Sequence, residues 1–284
     1  MRGVHTALVT PFRADGAVDI EAFERLCARQ IKGGIHGLVP CGTTGESPTL
    51  SGDEWSALVS AARRVAAGRV PVTAGVGTNA TRSTVEKCVK AQQLGADAGL
   101  MVLPYYNKPN PAGLRAHVRE AASVGLPLVL YHVPGRTGQR VGHELLAELT
   151  NMDGVVGLKE ATGDIRYGVD VVQRTKVPVL SGDDFTFLGL MAMGGSGVIS
   201  VVSNVDPAGT VAVSDAFFAG DRDRAIAANA RLWDLMTFLF ADSNPIPCKA
   251  ALAALDLCRA EPRLPLAPYE GPSPIQILEA LGLR

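Results

Sequence analysis

Short apolar runs alternate with amphipathic stretches along most of the chain, and the two kinds of segment differ in period. The short runs are Ala7–Thr10, Gly37–Pro40, Pro71–Gly75, Gly99–Leu103, Leu126–Tyr131, Val155–Lys159, Val177–Ser181 and Gly197–Val201. Between them, apolar residues recur three and four apart, as in Ile20–Ile31, Asp53–Ala67, Thr84–Leu94 and Pro111–Ser123. That spacing belongs to a helix with one buried face, and the short runs read as buried strands. Strands that alternate with helices pair in parallel. Eight such units within residues 1–220 predict an α/β fold, a (β/α)8 or TIM barrel, in preference to a doubly wound sheet.

The pattern changes after Asp206-Pro207. Ala208–Phe218 reads as the last barrel helix. Asp221–Phe240, Pro247–Cys258 and Pro274–Leu281 read as three further helices, and Pro262–Pro274 as a loop between the last two. The expected division is a catalytic barrel over 1–220 and a C-terminal helical domain over 221–284.

Composition narrows the function classes. Of 284 residues 47% are hydrophobic, which supports a large core. The formal net charge is -1 and no basic block occurs, so a nucleic-acid or anionic-membrane surface is not expected. No apolar stretch reaches the length of a membrane span, and the N-terminal apolar run is too short for a signal peptide. A cytoplasmic protein is expected. The five cysteines (Cys27, Cys41, Cys88, Cys248 and Cys258) form no C-x-x-C pair, and the five histidines show no metal-binding spacing. Neither a disulfide framework nor a metal site is expected, and Cys41 borders a candidate motif.

In a barrel of this kind the active site lies at the C-terminal ends of the strands. Those ends carry polar and glycine-rich residues. Val155–Lys159 ends on a lysine, with Val155, Gly157 and Lys159 expected on one face and Val156 and Leu158 on the other. The glycine would leave room beside the lysine. Most lysines are solvated surface charges. One that closes a buried apolar strand can lose hydration and attack a carbonyl. The turn Gly42-Thr43-Thr44-Gly45-Glu46 lacks the lysine of a phosphate loop, and its backbone N–H groups suit a small carboxylate. Tyr131 ends its strand where a hydroxyl could pass protons to and from a carbinolamine. Arg136, in a Pro-Gly-Arg turn, could grip a second carboxylate in a two-bond fork. Gly75-Val76-Gly77-Thr78-Asn79-Ala80 matches a dinucleotide fingerprint, but it follows the third strand of a longer series, so nicotinamide binding is not expected.

Together these motifs resemble the dihydrodipicolinate synthase/N-acetylneuraminate lyase family of pyruvate-dependent class I aldolases. The matching segments run in order through Leu8–Phe12, Gly42–Glu46, Pro104–Pro109, Tyr131–Gly138, Gly157–Gly163, Ser181–Asp184, Gly197–Ser200 and Asn244–Pro247. The resemblance implies a barrel with a C-terminal helical extension, assembled as a homotetramer of two tight dimers. It implies Lys159 as the Schiff-base lysine and Tyr131 as the proton relay, with Thr43 and Tyr106 as its partners. Tyr106 would act in the neighbouring subunit's site. Thr44 would hold the pyruvate carboxylate, Arg136 the carboxylate of the aldehyde, and Gly182 and Ile199 would line the site. No external cofactor is implied, because the covalent imine on Lys159 supplies the electron sink.

The Pro-Gly-Arg-Thr-Gly turn and Asn244-Pro245-Ile246-Pro247 resemble the synthase branch, which condenses pyruvate with aspartate 4-semialdehyde to a cyclic precursor of lysine and diaminopimelate. The alternative is a lyase that splits a 2-oxo sugar acid or hydroxy-oxo acid. A catalytically silent binding barrel would have lost Lys159 or Tyr131, and both are present. At the positions that bind feedback lysine in the family, Ser47, Asn79 and Tyr105 fit the pattern, whereas Gly52, Trp55 and Ser83 depart from it. Weak or absent inhibition by lysine is expected.

Overall fold

A computed structural model describes residues 1–284. Eight strands form the barrel wall: β1 (Gly3–Ala7), β2 (Gly37–Val39), β3 (Thr73–Gly75), β4 (Ala98–Val102), β5 (Leu128–His132), β6 (Val155–Glu160), β7 (Val179–Ser181) and β8 (Gly197–Ser200). All neighbours are parallel, in the order β2-β1-β8-β7-β6-β5-β4-β3. A bridge between Leu38 and Val72 joins β2 to β3 and closes the ring. The chain is therefore a (β/α)8 barrel.

The connecting helices are α1 (Ile20–Lys32), α2 (Gly52–Ala66), α3 (Thr81–Gln93), α4 (Pro111–Ala122), α5 (Pro134–Thr137), α6 (His143–Thr150), α7 (Ile165–Val172), α8 (Phe187–Ala192) and α9 (Pro207–Phe218). Several begin on the residue types that satisfy free N–H groups. Asp19, Asn110, Asp164 and Asp206 each accept a backbone N–H of the first turn, and Ser51 with Glu54 forms a reciprocal capping box on α2.

Alternation along the strands divides the core in two. Ala7, Val39, Ala98, Leu100, Val129, Tyr131, Leu180 and Ile199 fill the barrel interior. Outward-facing residues such as Val4, Leu38, Leu130, Leu158 and Val198 meet the helices in a larger layer. The C-terminal helices α10 (Arg222–Arg231), α11 (Trp233–Leu239), α12 (Ile246–Ala254) and α13 (Ile275–Ala280) add Leu232, Leu235, Met236, Leu252 and Leu278 to that same outer layer.

Three details depart from the sequence-based expectation. The first strand lies at Gly3–Ala7, not Ala7–Thr10, because it is His5–Ala7 that pair with Gly37–Val39. Leu8–Thr10 leave the sheet as a buried loop. Asp221–Phe240 is two helices, not one. The chain bends at the fully buried Leu232, whose N–H reaches back only three residues, to the Asn229 carbonyl at 3.1 Å. Finally, β6 does not alternate strictly. Leu128 pairs with Val155 and Val129 with Gly157, so Val156 is an extra residue bulged out to 38% exposure. Val155 joins Leu158 in the outer layer, while Lys159 faces inward.

Candidate active site

The bulge sets the direction of Lys159. Beyond it, Lys159 pairs with Tyr131 of β5 and Leu180 of β7, two residues of the interior cluster. Its side chain rises to the C-terminal mouth of the barrel and is 5% exposed. The Nζ atom lies 4.2 Å from the centroid of the Tyr131 ring. No ion pair engages it; the buried lysine of the fold that does carry one is Lys249.

The room for this side chain comes from Gly182 rather than Gly157. A Cβ at Gly182 would stand 2.8 Å from Lys159 Cε and 2.7 Å from Ala161 Cβ, too close for either to remain in place. At Gly157 a Cβ would make only ordinary contacts at 3.5 Å and beyond. The glycine paired with the lysine is supplied by the next strand, a relationship that spacing within β6 cannot show.

Around the lysine opens a cavity of 130 Å³. Thr43, Thr44, Tyr131, Arg136 and Gly182 line it together with Lys159. Two expected site residues lie elsewhere. Ile199 is fully buried in the barrel interior with Tyr131 and Leu180, and is not among the lining residues. Tyr106 is 88% exposed, carried on a loop residue with φ of 73°.

Thr43 and Thr44 belong to a turn folded tightly after β2. Gly42 accepts the Ser47 N–H at 3.3 Å, Thr43 accepts the Glu46 N–H at 2.9 Å, and Thr10 Oγ1 donates to the Gly45 carbonyl at 2.7 Å. A Cβ on Gly45 would crowd Cys41 N at 3.0 Å and Leu8 O at 3.1 Å, so the backbone packed there would have to shift by a few tenths of an ångström. The N–H groups of Thr43 and Thr44 donate to no backbone acceptor. Successive free N–H groups at a turn are a standing site for a carboxylate.

Arg136 projects from α5. Its guanidinium donates to the Asn244 carbonyl at 3.4 Å, so the segment before α12 orients it over the lysine cavity. It also borders a second cavity, of 390 Å³, which Ser47, Lys87 and Tyr105 share.

Sequence reasoning did not single out Asp183, Asn244 or Phe240, all of which line the lysine cavity. Asp183 and Asn244 stood inside quoted motifs. Phe240 gave no signal, because it comes from the C-terminal helices. Burial pushes the Asp183 carboxyl above the usual range. It does the same to Glu160, against hydrogen bonds from Thr162 that act the other way. Cys41 is buried and its thiol is pushed up to about 12, so it is an inert packing residue. Gly75 and Gly77 of the fingerprint-like segment make room for the backbone of Cys41 and of Val102, respectively. No group of three or more His, Cys, Asp or Glu is placed to hold a metal ion. No helix is long and apolar enough to cross a membrane.

This assembly offers an amine, a neighbouring phenol, free backbone donors for one carboxylate and a guanidinium for another. Those are the parts for covalent capture of a 2-oxo acid and its attack on a second, anionic carbonyl compound. Comparison with known proteins points the same way. Residues 1–279 match the model of the dihydrodipicolinate synthetase family. A 4-hydroxy-tetrahydrodipicolinate synthase of Pelobacter propionicus is 45% identical over 270 residues, which cover 94% of this chain and 93% of that one. The crystal structure of a dihydrodipicolinate synthase from Thermotoga maritima superposes with a TM-score of 0.97 at 41% identity, covering 100% of this chain and 99% of that one. A structure described as the first monomeric dihydrodipicolinate synthase variant gives the same TM-score and identity, with 100% and 98% covered.

Proposed function

The chain belongs to the dihydrodipicolinate synthetase family, and we propose that it condenses pyruvate with L-aspartate 4-semialdehyde to 4-hydroxy-tetrahydrodipicolinate, a step toward lysine and diaminopimelate. It is an enzyme of the aldolase-type lyase class. The observation that carries the substrate reading is the common cavity of Lys159, the free N–H groups beside Thr44, and Arg136.

The residues divide the work as follows. The turn at Thr43-Thr44 binds the pyruvate carboxylate and presents the ketone carbon to Lys159. The neutral amine adds to that carbon, water leaves, and the imine nitrogen becomes positive. Its charge makes the methyl proton removable, and the resulting enamine carbon attacks the aldehyde. The Tyr131 hydroxyl carries protons to and from the carbinolamine, the water and the new alkoxide. Arg136 holds the carboxylate of the aldehyde substrate. The substrate's own amino group then displaces Lys159 from the imine carbon, which closes the ring and frees the lysine. Gly182 keeps the lysine stem mobile, and Ile199 supports Tyr131 and Leu180 from below. The electron sink is the protonated imine, so this sequence calls for no external cofactor.

Tyr106 completes the relay through a neighbouring subunit in this reading. Its exposure supports that assignment, as it has no place in its own chain's cavity. We assign the tight dimer on this basis, and its pairing into a homotetramer on the family resemblance. We place the enzyme in the cytoplasm, with 1–220 as the catalytic barrel and 221–284 as the helical domain. Inhibition by lysine is weak in this account, because Ser83 replaces a carboxylate and Lys87 adds a cation to the cavity of Ser47 and Tyr105.

A lyase acting on hydroxylated 2-oxo acids would use the same Lys159 chemistry. Arg136 favours the synthase, since a short charged aldehyde needs a guanidinium and a sugar chain needs hydroxyl partners. The test is condensation of pyruvate with aspartate 4-semialdehyde, read through a coupled NADPH-dependent reductase with Lys159→Ala as the blank. Turnover that depends on Lys159 is expected. A protein that cleaves a hydroxylated 2-oxo acid and ignores the semialdehyde would replace this reading with the lyase.

A further inference from the structure

The turn that receives the carboxylate carries a carboxylate of its own. Glu46 is the last residue of the Gly42–Glu46 turn, sits at φ 55° and is 2% exposed. Thr44, whose N–H faces an anion in the function proposed above, is only two residues away. An uncompensated charge on Glu46 would oppose any anion bound there, because like charges in a poorly solvated site repel strongly.

The C-terminal region cancels that charge. Lys249 of α12 is fully buried, and its Nζ lies 2.6 Å from Glu46 Oε1. The other oxygen, Oε2, accepts the backbone N–H of Arg263 at 2.8 Å. Lys249 is held in turn by the Glu261 carbonyl at 3.1 Å and by the face of Phe12 at 4.0 Å. Arg263 covers the same ring and donates to the Thr49 carbonyl just past the turn. Both oxygens of Glu46 are thus held by residues more than 200 positions along the chain.

We propose that Lys249 is a positioning residue for the pyruvate site: its buried ammonium neutralises Glu46 and fixes the Gly42–Glu46 turn, so that the turn can accept a carboxylate. This rests on the function proposed above. Burial of so polar a pair is costly and gives weak stability by itself. A role in holding an anion-binding turn explains why the pair stands directly behind one.

The test is the KM for pyruvate in Lys249→Met, compared with the double variant Glu46→Gln/Lys249→Met. The single variant strands the Glu46 charge beside the turn, and its KM for pyruvate rises at least tenfold, while kcat and the KM for the aldehyde change less. Adding Glu46→Gln removes the stranded charge and recovers most of the loss. A rise below threefold in the single variant overturns the inference. So does a double variant as impaired as the single one, which would mark the pair as packing alone. Should Lys249→Met not fold, Lys249→Gln keeps a donor beside Glu46 without the charge and carries the same expectation. Borohydride trapping of pyruvate on the wild-type enzyme is the control. Its absence would overturn the function, whereas trapping with an unchanged KM in the variant would overturn this inference alone.

Discussion

Lys159 and Tyr131 face each other across β6 and β5, with the lysine Nζ 4.2 Å above the centroid of the tyrosine ring. The pair results from the bulge at Val156, which shifts the register between Val155 and Gly157 and turns Lys159 into the barrel mouth. A ring face attracts an ammonium only modestly, by about 0.5–2 kcal/mol, whereas a carboxylate partner would hold the charged form far more firmly. Lys159 has no such partner, and its Nζ meets the ring face at the mouth of the cavity.

Gly182 is the most exacting position around that amine. Its Cα approaches the lysine stem so closely that a methyl group would displace Lys159 Cε or Ala161. Gly182→Ala is expected to lower kcat at least tenfold and to cost some stability, because the clash falls on the Lys159 stem and on Ala161 Cβ, which moves only with its backbone. Steady-state kinetics with thermal unfolding as a control would check this. A fully active variant would show that the stem has another path.

Arg136 gives a different signature. If it binds only the aldehyde, Arg136→Ala leaves pyruvate trapping on Lys159 intact. It lowers kcat/KM for aspartate 4-semialdehyde by about 10- to 150-fold, the equivalent of losing about 1.5–3 kcal/mol of charge-assisted hydrogen bonding. Equal losses for pyruvate capture and aldehyde turnover would put the guanidinium on the wrong substrate.

For Tyr106 the decisive experiment is mixing. Tyr106→Phe and Lys159→Ala should each be nearly inactive. Unfolded and refolded together, they should regain activity, because a mixed dimer holds one site with its own Lys159 and the partner's tyrosine. Inactive mixtures that nevertheless contain mixed dimers would confine Tyr106 to its own chain.

Much of this was legible from the sequence. Strand and helix periods gave the barrel, and the polar residues that follow each apolar run gave Lys159, Tyr131, Thr43, Thr44 and Arg136. What escaped depends on contacts between strands and on the C-terminal helices. The Val156 bulge needs the register of two strands, the role of Gly182 needs the neighbouring lysine, and the first strand begins earlier than its apolar run suggests because Leu8 and Val9 carry that run past the sheet. Phe240 and Lys249 reach the site from the C-terminal region without a motif of their own, and Asn244, though inside a quoted motif, shows its place beside Arg136 only in the fold.

Acid stability offers a check on the outer layer. His132 is fully buried, its Nε2 accepts the Val141 N–H at 3.1 Å, and burial, then the charge of Arg140, lowers its pKa to about 4 from 6.5. A depressed histidine is neutral in the fold and protonates first in the unfolded chain. Its contribution is therefore complete above about pH 6.5 and is lost as pH falls toward about 4. From about pH 7 to about pH 5 this removes about 2 kcal/mol of stability. His132→Gln, which keeps an acceptor for Val141, should flatten that part of the curve in urea unfolding. Buried His5 shifts in the same direction and would leave a residual slope. A variant that parallels the wild type throughout would acquit His132.

The central claim is that Lys159 forms an imine with pyruvate, and it can be measured directly. The enzyme would be incubated with pyruvate, reduced with borohydride, digested and sequenced by mass spectrometry. The account predicts one carboxyethyl adduct, on Lys159, absent from Lys159→Ala and from enzyme reduced without pyruvate. An adduct on another lysine, or none in an enzyme that still turns over, would contradict it.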